Sequence, residues 1–326
     1  MSVSGEVVER DERPEGGLPY ASGMNESRHA EQAALVALLR SRPEKMSWHE
    51  IASSVLERGS ALGVWHDLVP AALLSVPGLP DPLATASEDL KRWAAGGCVI
   101  VTILDEDYPA RLRGIHQAPP ILFARGELKA DDCAVSVVGS RRASPSGLEV
   151  ADAVARGLVA RGISVAAGLA LGIDTAAHRA ALAAGGRTVA LIGTGINKVY
   201  PAENRQLHEE IALRGLLISQ FWPDAPPNRR SFLMRNATMS GYGIATVVVE
   251  AGETSGTRAQ ARMAVEHGRP VILMEAVVEH NEWAQALVGR PGVHIAQSVP
   301  SVLARVDQLI KEQDTVGSDL RRFVPA

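Results

Sequence analysis

The stretch Asn228 to Ser240, NRRSFLMRNATMS, sets Arg229, Arg230 and Arg235 around Phe232 with no acidic residue among them. Cations for phosphates and a ring for base stacking are the ingredients of single-strand nucleic-acid binding. A loop whose Phe232 turns into the core would have the same spacing, and spacing does not separate the two. A fourth cation, Arg141, follows the apolar run Ala134 to Val138 in the turn Gly139-Ser140-Arg141. Its planar fork suits a phosphate, and its place directly after a buried strand and a glycine favours binding over a solvated surface role.

Three further turns should converge beside that one. They are Gly168 to Asp174 (with Gly168, Gly172 and Asp174), Gly193 to Asn197 (with Gly193 and Gly195), and Ala251 to Thr257 (with Ser255 and Gly256). Glycines allow close approach of a ligand, and helix N-termini offer free N–H groups to anions, so the four turns read together as a phosphate-binding site. The first turn is not G-x-G-x-x-G, and the chain has no G-x-x-x-x-G-K-[ST], which disfavours a dinucleotide dehydrogenase and a P-loop ATPase. Asp174 and His178, four apart at a helix start, read as a cap and a packed or pocket-lining imidazole rather than an acid–base pair. Glu250, at a strand end, could line the site. No serine or cysteine has an evident base partner. A non-enzymatic protein needing no cofactor and no metal is expected.

The elements that must carry these residues are legible in the apolar runs. Ala134 to Val138, Ile163 to Ala167, Thr188 to Ile192, Leu216 to Gln220, Ile244 to Glu250 and Val271 to Met274 read as buried strands. Helical stretches lie between them, among them Leu148 to Arg161, Asp174 to Ala184, Leu233 to Tyr242, a helix to Arg214 that Asn204 can cap, and one to His267 capped by Thr254 or Ser255. The expectation is an α/β fold: a doubly wound, mostly parallel, extended Rossmann-like sheet. Before it, Cys98 to Leu104 and Ile121 to Arg125 look like strands, and residues 28–82 form a small all-helical module. There Ser47 and Glu50 make a capping box, and Trp48, Trp65 and Leu68 fill the centre. The boundaries are a disordered leader at 1–27, the helical module at 28–82 with its Pro-rich joint Pro77 to Pro82, the main domain at 83–311 and a polar tail at 312–326.

The 326 residues, 46% hydrophobic with a net charge of −4, describe an ordinary globular protein whose bulk charge does not advertise nucleic acid. Any such site must be a local basic patch. Two cysteines, Cys98 and Cys133, lack metal-ligand spacing. No apolar run reaches the about 18 residues of a membrane span, and the N-terminus lacks a signal-peptide core, so a cytoplasmic protein without membrane contact is expected.

The blocks VVGSRRASPSG, AGLALGIDTAAHRAAL, GTGINKVYPAENRQL, FLMRNATMSG and VVVEAGETSGTRAQARMAVEHGR stand in the order and spacing of the DprA (Smf) DNA-processing family, and VTILDEDYPARLRGIHQAPPILFARGEL resembles its lead-in. The likeness covers roughly residues 95–275. It implies an extended Rossmann-like domain that binds and protects single-stranded DNA, helps load the RecA recombinase in natural transformation or recombination, and works as a homodimer. The family's glycine–serine–arginine turn falls on Gly139, Ser140 and Arg141. Its strand-binding block falls on Arg235 and Asn236, preceded by Phe232. The chain departs from the pattern at Ala237 (a second arginine), at Gln220 (glutamate) and at Glu275-Ala276 (proline–glycine), and no winged helix follows residue 311. On this reading Ala237→Arg should add a contact to the strand. The rival is a nucleotide-ligand sensor or nucleotide-processing enzyme on the same fold, although EAGETSGTRAQ lacks the P-G-G-x-G-T-x-x-E block of phosphoribohydrolases.

Overall fold

In a computed structural model, residues 19–69 and 80–323 are described. The first helices are α1 (Pro19–Ser41), α2 (Trp48–Arg58), α3 (Ala61–Leu68) and α4 (Pro82–Ala95). Ala33 through Leu39 are seven consecutive buried residues, so α1 is wrapped on every side rather than presenting one stripe. Ser47 and Glu50 form the expected capping box at the start of α2. Trp65 fills the module's centre at 1% exposure. Trp48 and Leu68 do not: both are only half-buried, and Trp48 turns outward onto Trp222 of the main domain.

The sheet has nine strands: β1 (Val99–Thr102), β2 (Ile121–Gly126), β3 (Ala134–Gly139), β4 (Ser164–Ala167), β5 (Thr188–Leu191), β6 (Leu216–Ser219), β7 (Ala245–Glu250), β8 (Val271–Met274) and β9 (Val293–Ala296). Their order is β1-β2-β6-β5-β4-β3-β7-β8-β9. The pairs β1–β2 and β2–β6 are antiparallel, and every other neighbouring pair is parallel. The chain winds outward from β3 to β6 and then returns to β7 on the other side of β3. The switch in strand order therefore lies between β3 and β7, where ligands of such sheets bind. Strands β4, β5, β6 and β8 are buried along their whole length, the reason their sequences read as unbroken apolar runs.

The crossovers are α6 (Pro145–Val159), α7 (Ile173–Ala183) and α8 (Arg205–Arg214); the small helix α5 (Ala110–Arg113) precedes them. Helices α9 (Arg229–Tyr242) and α10 (Gly256–Glu266) follow and pack on each other. Right-handed crossovers in both directions from β3 place the two groups on opposite faces. The short helices α11 (Glu275–His280) and α12 (Glu282–Gln285) lead to β9, and α13 (Val299–Phe323) packs along α6.

Several expectations change. Helix α1 begins at Pro19, inside the stretch read as a leader, and residues 1–18 of that stretch lie outside the described residues. The module's residues 70–79, with the first part of the Pro-rich joint, also lie outside them. The rest of the joint is a helix start: Asp81 caps α4 by accepting from Leu83 N at 2.9 Å, with Pro82 in the first turn. The tail from 312 continues α13 to Phe323, anchored by Val302, Val306 and Leu309 on one buried stripe. Strand β9 was hidden because it is an edge with Ile295 46% exposed, so it carries no buried apolar run.

Candidate nucleic-acid interface

The interior of the C-terminal sheet edge is closed by the protein's own groups. After β3, Ser140 N donates to Glu250 O at 2.7 Å. Ser144 caps α6, its hydroxyl accepting from Gly147 N at 3.0 Å. The Glu250 carboxylate lies over the same helix end, accepting from Ser144 N at 3.1 Å and from its hydroxyl. Glu250 thus fills the anion-attracting end of α6 instead of lining an open pocket. The turn after β4 is filled in the same way: Asp174 Oδ2 accepts from Gly168 N at 3.0 Å and Ala170 N at 3.3 Å. Asn204 does not cap α8; its amide donates to Leu169 O at 3.0 Å and Thr175 Oγ1 at 2.9 Å, tying two turns together.

Arg235 descends from α9 into this interior. It is 6% exposed, and Nη1 donates to Leu191 O at 3.0 Å. Gly168 is required by it: a Cβ there would stand 1.2 Å from Arg235 Nη1. Burial pushes the Asp174 carboxyl up against the opposing pull of Arg235, and burial likewise lowers Arg235. His178 is fully buried and bonded to Thr188 Oγ1 at 2.7 Å; burial, with Arg235 nearby, lowers it to about 3, so it is neutral and has no free proton role at neutral pH. Asp174 and His178 therefore make no acid–base pair.

The rim above is open. Arg141 is exposed, and its Cζ lies 5.7 Å from the centre of the Phe232 ring. Phe232, half-buried, meets Tyr200 at 5.4 Å between ring centres, and Tyr200 is 42% exposed. On its inner side Phe232 lies against Gly193, where a Cβ would come within 2.4 Å of the ring. Phe232 stands on a helix and not in a loop turned into the core: it is half-buried, seated on Gly193, and it meets Arg141 and Tyr200. Tyr200 was missed as a site residue, although an aromatic just past a glycine turn at a strand end was a usable signal.

Arg229 and Arg230 are exposed and occupy the first turn of α9, which holds no acid. Two cations at the positive end of a helix dipole oppose helix stability. Asn236 is half-buried on the same helix, and Ala237 is 3% exposed, so an arginine at 237 would enter the core and not the rim. Gln220 is buried against Thr238, whose hydroxyl donates to it. Ser255 caps α10 by accepting from Thr257 N at 3.2 Å, with Gly256 exposed beside it. Both stand at the end of β7, with no bond to the Arg141–Phe232 group. Gly139, Gly172 and Gly195 face protein: their nearest neighbours are Ile173, Ser140 O and Trp222 O. The turns at Gly139 and Gly172 thus pack against each other and Gly195 against the loop after β6, while Gly256 has open space around it. Among the described residues no His, Cys, Asp and Glu cluster could hold a metal ion, and no helix is long and apolar enough to cross a membrane.

Comparison with known proteins agrees with this architecture. The Streptococcus pneumoniae DNA processing protein DprA is 40% identical over 171 residues, 52% of this chain and 60% of that protein. The Smf protein of Synechocystis is 37% identical over 172 residues, 51% of this chain and 43% of its own length, so the match spans about half the length of these relatives. The X-ray structure of S. pneumoniae DprA covers 85% of this chain and 97% of its own at a TM-score of 0.65 and 29% identity. DNA processing protein A from Helicobacter pylori, a structure described for its single-stranded DNA binding mode, covers 66% of this chain and 96% of its own at a TM-score of 0.58. At 24% identity that second likeness speaks to the fold. The model of the family DNA recombination-mediator protein A matches residues 99–306, and the chain belongs to this DNA-processing family, DprA/Smf.

Proposed function

We propose that the chain binds single-stranded DNA along the Arg141–Phe232–Tyr200 rim, protects it, and assists loading of the RecA recombinase during DNA uptake, natural transformation and recombination. The observation that carries this reading is the pair of exposed Tyr200 and half-buried Phe232, flanked by Arg141 on one side and by Arg229 and Arg230 on the helix that bears Phe232. Rings accept any base by stacking, and the arginines track the phosphates. The H. pylori relative is described as binding single-stranded DNA, which supports the same ligand here. The role on this reading is one of binding and delivery, and Asp174, His178 Nδ1 and Glu250 make structural hydrogen bonds. The protein acts as a homodimer in the cytoplasm on this reading.

Filter binding of oligonucleotides at several salt concentrations, with duplex and mononucleotide as competitors, tests it. Single strands should win over duplex with little sequence preference, and affinity should fall steeply with salt. Tight mononucleotide binding with negligible oligonucleotide affinity would instead establish the nucleotide-sensor reading.

A further inference from the structure

The described helical module of residues 19–69 meets the main domain at an aromatic cluster. Trp222 stands in the loop between β6 and α9, with Trp48 edge-on to it at 5.3 Å and Trp93 of α4 stacked at 5.8 Å. Phe123 of β2 completes the enclosure at 6.1 Å. Arg40 of α1 places its Cζ 5.3 Å from the Trp222 ring centre and 5.6 Å from that of Trp93, while pairing with the buried carboxylate of Asp89. Trp48 is itself fixed, its Nε1 donating to Leu39 O at 3.2 Å. Trp222 is thus gripped by two helices of the module, by α4 and by one strand of the sheet.

The loop that carries Trp222 is bonded to the turn that leads to Tyr200. Gly195 N donates to Ala225 O and Asn197 N to Pro223 O, both at 2.9 Å. Asn197 also donates to Asp224 Oδ1 at 3.2 Å and accepts from Arg125 at 2.6 Å. The other side of the turn is held by α9, where Ser231 Oγ donates to Gly193 O at 2.6 Å and Phe232 lies on Gly193. One rigid turn therefore stands between the module and the two stacking rings.

We propose that Trp222 is a positioning residue through which the helical module sets the spacing of Tyr200 and Phe232, so that the module regulates strand affinity without touching the strand. This rests on the single-strand reading above. A stacking site needs its two rings held at one separation before the base arrives, because ordering them on binding would subtract from affinity. The gripped loop supplies that order through its hydrogen bonds to the Gly195–Asn197 turn.

A double-mutant cycle tests the coupling. Trp48→Leu should weaken oligonucleotide binding about five-fold in the wild-type background and hardly at all once Phe232→Ala has removed the stacking pair, with the salt slope unchanged in both. Trp48→Phe should restore most of the affinity. Arg40→Met, which leaves the indoles in place, provides a second and milder perturbation should Trp48→Leu fold poorly. Ile51→Val, a cut in the module's own core that leaves Trp48 in place, should lower stability and leave affinity alone. Equal losses in both backgrounds, or losses that follow melting temperature across all variants, overturn the positioning role and leave strand binding standing. Absence of oligonucleotide binding by the wild type overturns the strand reading and this inference with it.

Discussion

The closed interior and the open rim of the C-terminal sheet edge lie within one helix of each other and use the same residue types to opposite ends. Arg235 and Arg141 are both arginines beside glycine turns, yet one is 6% exposed and bonded to a strand carbonyl while the other is exposed over a phenyl ring. Asp174 and Glu250 have already answered the backbone N–H groups that the turns would have offered an anion. The comparison teaches that a glycine turn at a strand end marks close approach of something, and here that something is chiefly the protein. Ligand-facing character belongs to side chains that nothing in the fold satisfies.

Substitutions inside the closed region should strike stability first. Gly168→Ala drives a methyl into the Arg235 guanidinium and should cost about 3 kcal/mol or more in urea unfolding, with no selective effect on strand affinity at temperatures where the protein stays folded. Ala237→Arg belongs here too: at 3% exposure the new charge is buried, so the expected outcome is destabilisation by several kcal/mol in the same assay, in place of tighter binding. A stable Ala237→Arg protein with enhanced affinity would erase the boundary drawn between interior and rim.

The interior should also show itself through pH. His178 lies at about 3 in the fold against 6.5 for an ordinary imidazole. Between these values the unfolded chain binds the proton that the folded one refuses, so stability is full above 6.5 and is lost as pH falls toward 3. His267, lowered to about 4 by burial, adds loss of the same sign. Urea midpoints should fall steadily from pH 7 to 4, and His178→Gln should flatten part of that slope. An unchanged slope in the variant would show that His178 titrates normally.

At the rim the effects should appear in binding with stability nearly intact. Phe232→Ala should cost about 1–3 kcal/mol of oligonucleotide affinity while leaving its salt dependence alone, and Tyr200→Ala should do the same to a similar extent. Smallest in affinity but distinct in kind, Arg141→Ala should reduce the slope of log affinity against log salt by about 0.7, one phosphate on a single strand. If Phe232→Ala lowers the melting temperature and spares affinity, its seat on Gly193 is its whole purpose and the rim loses its central ring.

The sequence by itself determined the parallel sheet, because strands buried on both faces must be apolar throughout, as Val271 to Met274 and Thr188 to Leu191 are. It also determined helix ends whose signals are local, such as the Ser47–Glu50 box, and the placement of arginines around Phe232. Edge strand β9 and the short helices α11 and α12 escaped it because their stability comes from neighbours and not from their own pattern. Only the tertiary structure decided that Asp174, Glu250 and Arg235 turn inward, that Ala237 is core, and that Tyr200 meets Phe232 across 32 residues of chain. Those outcomes depend on which groups distant segments bring within hydrogen-bond or ring contact. A residue's type fixes what it can bond to, and the packing of the whole chain fixes whether that partner comes from the protein or is left for a ligand.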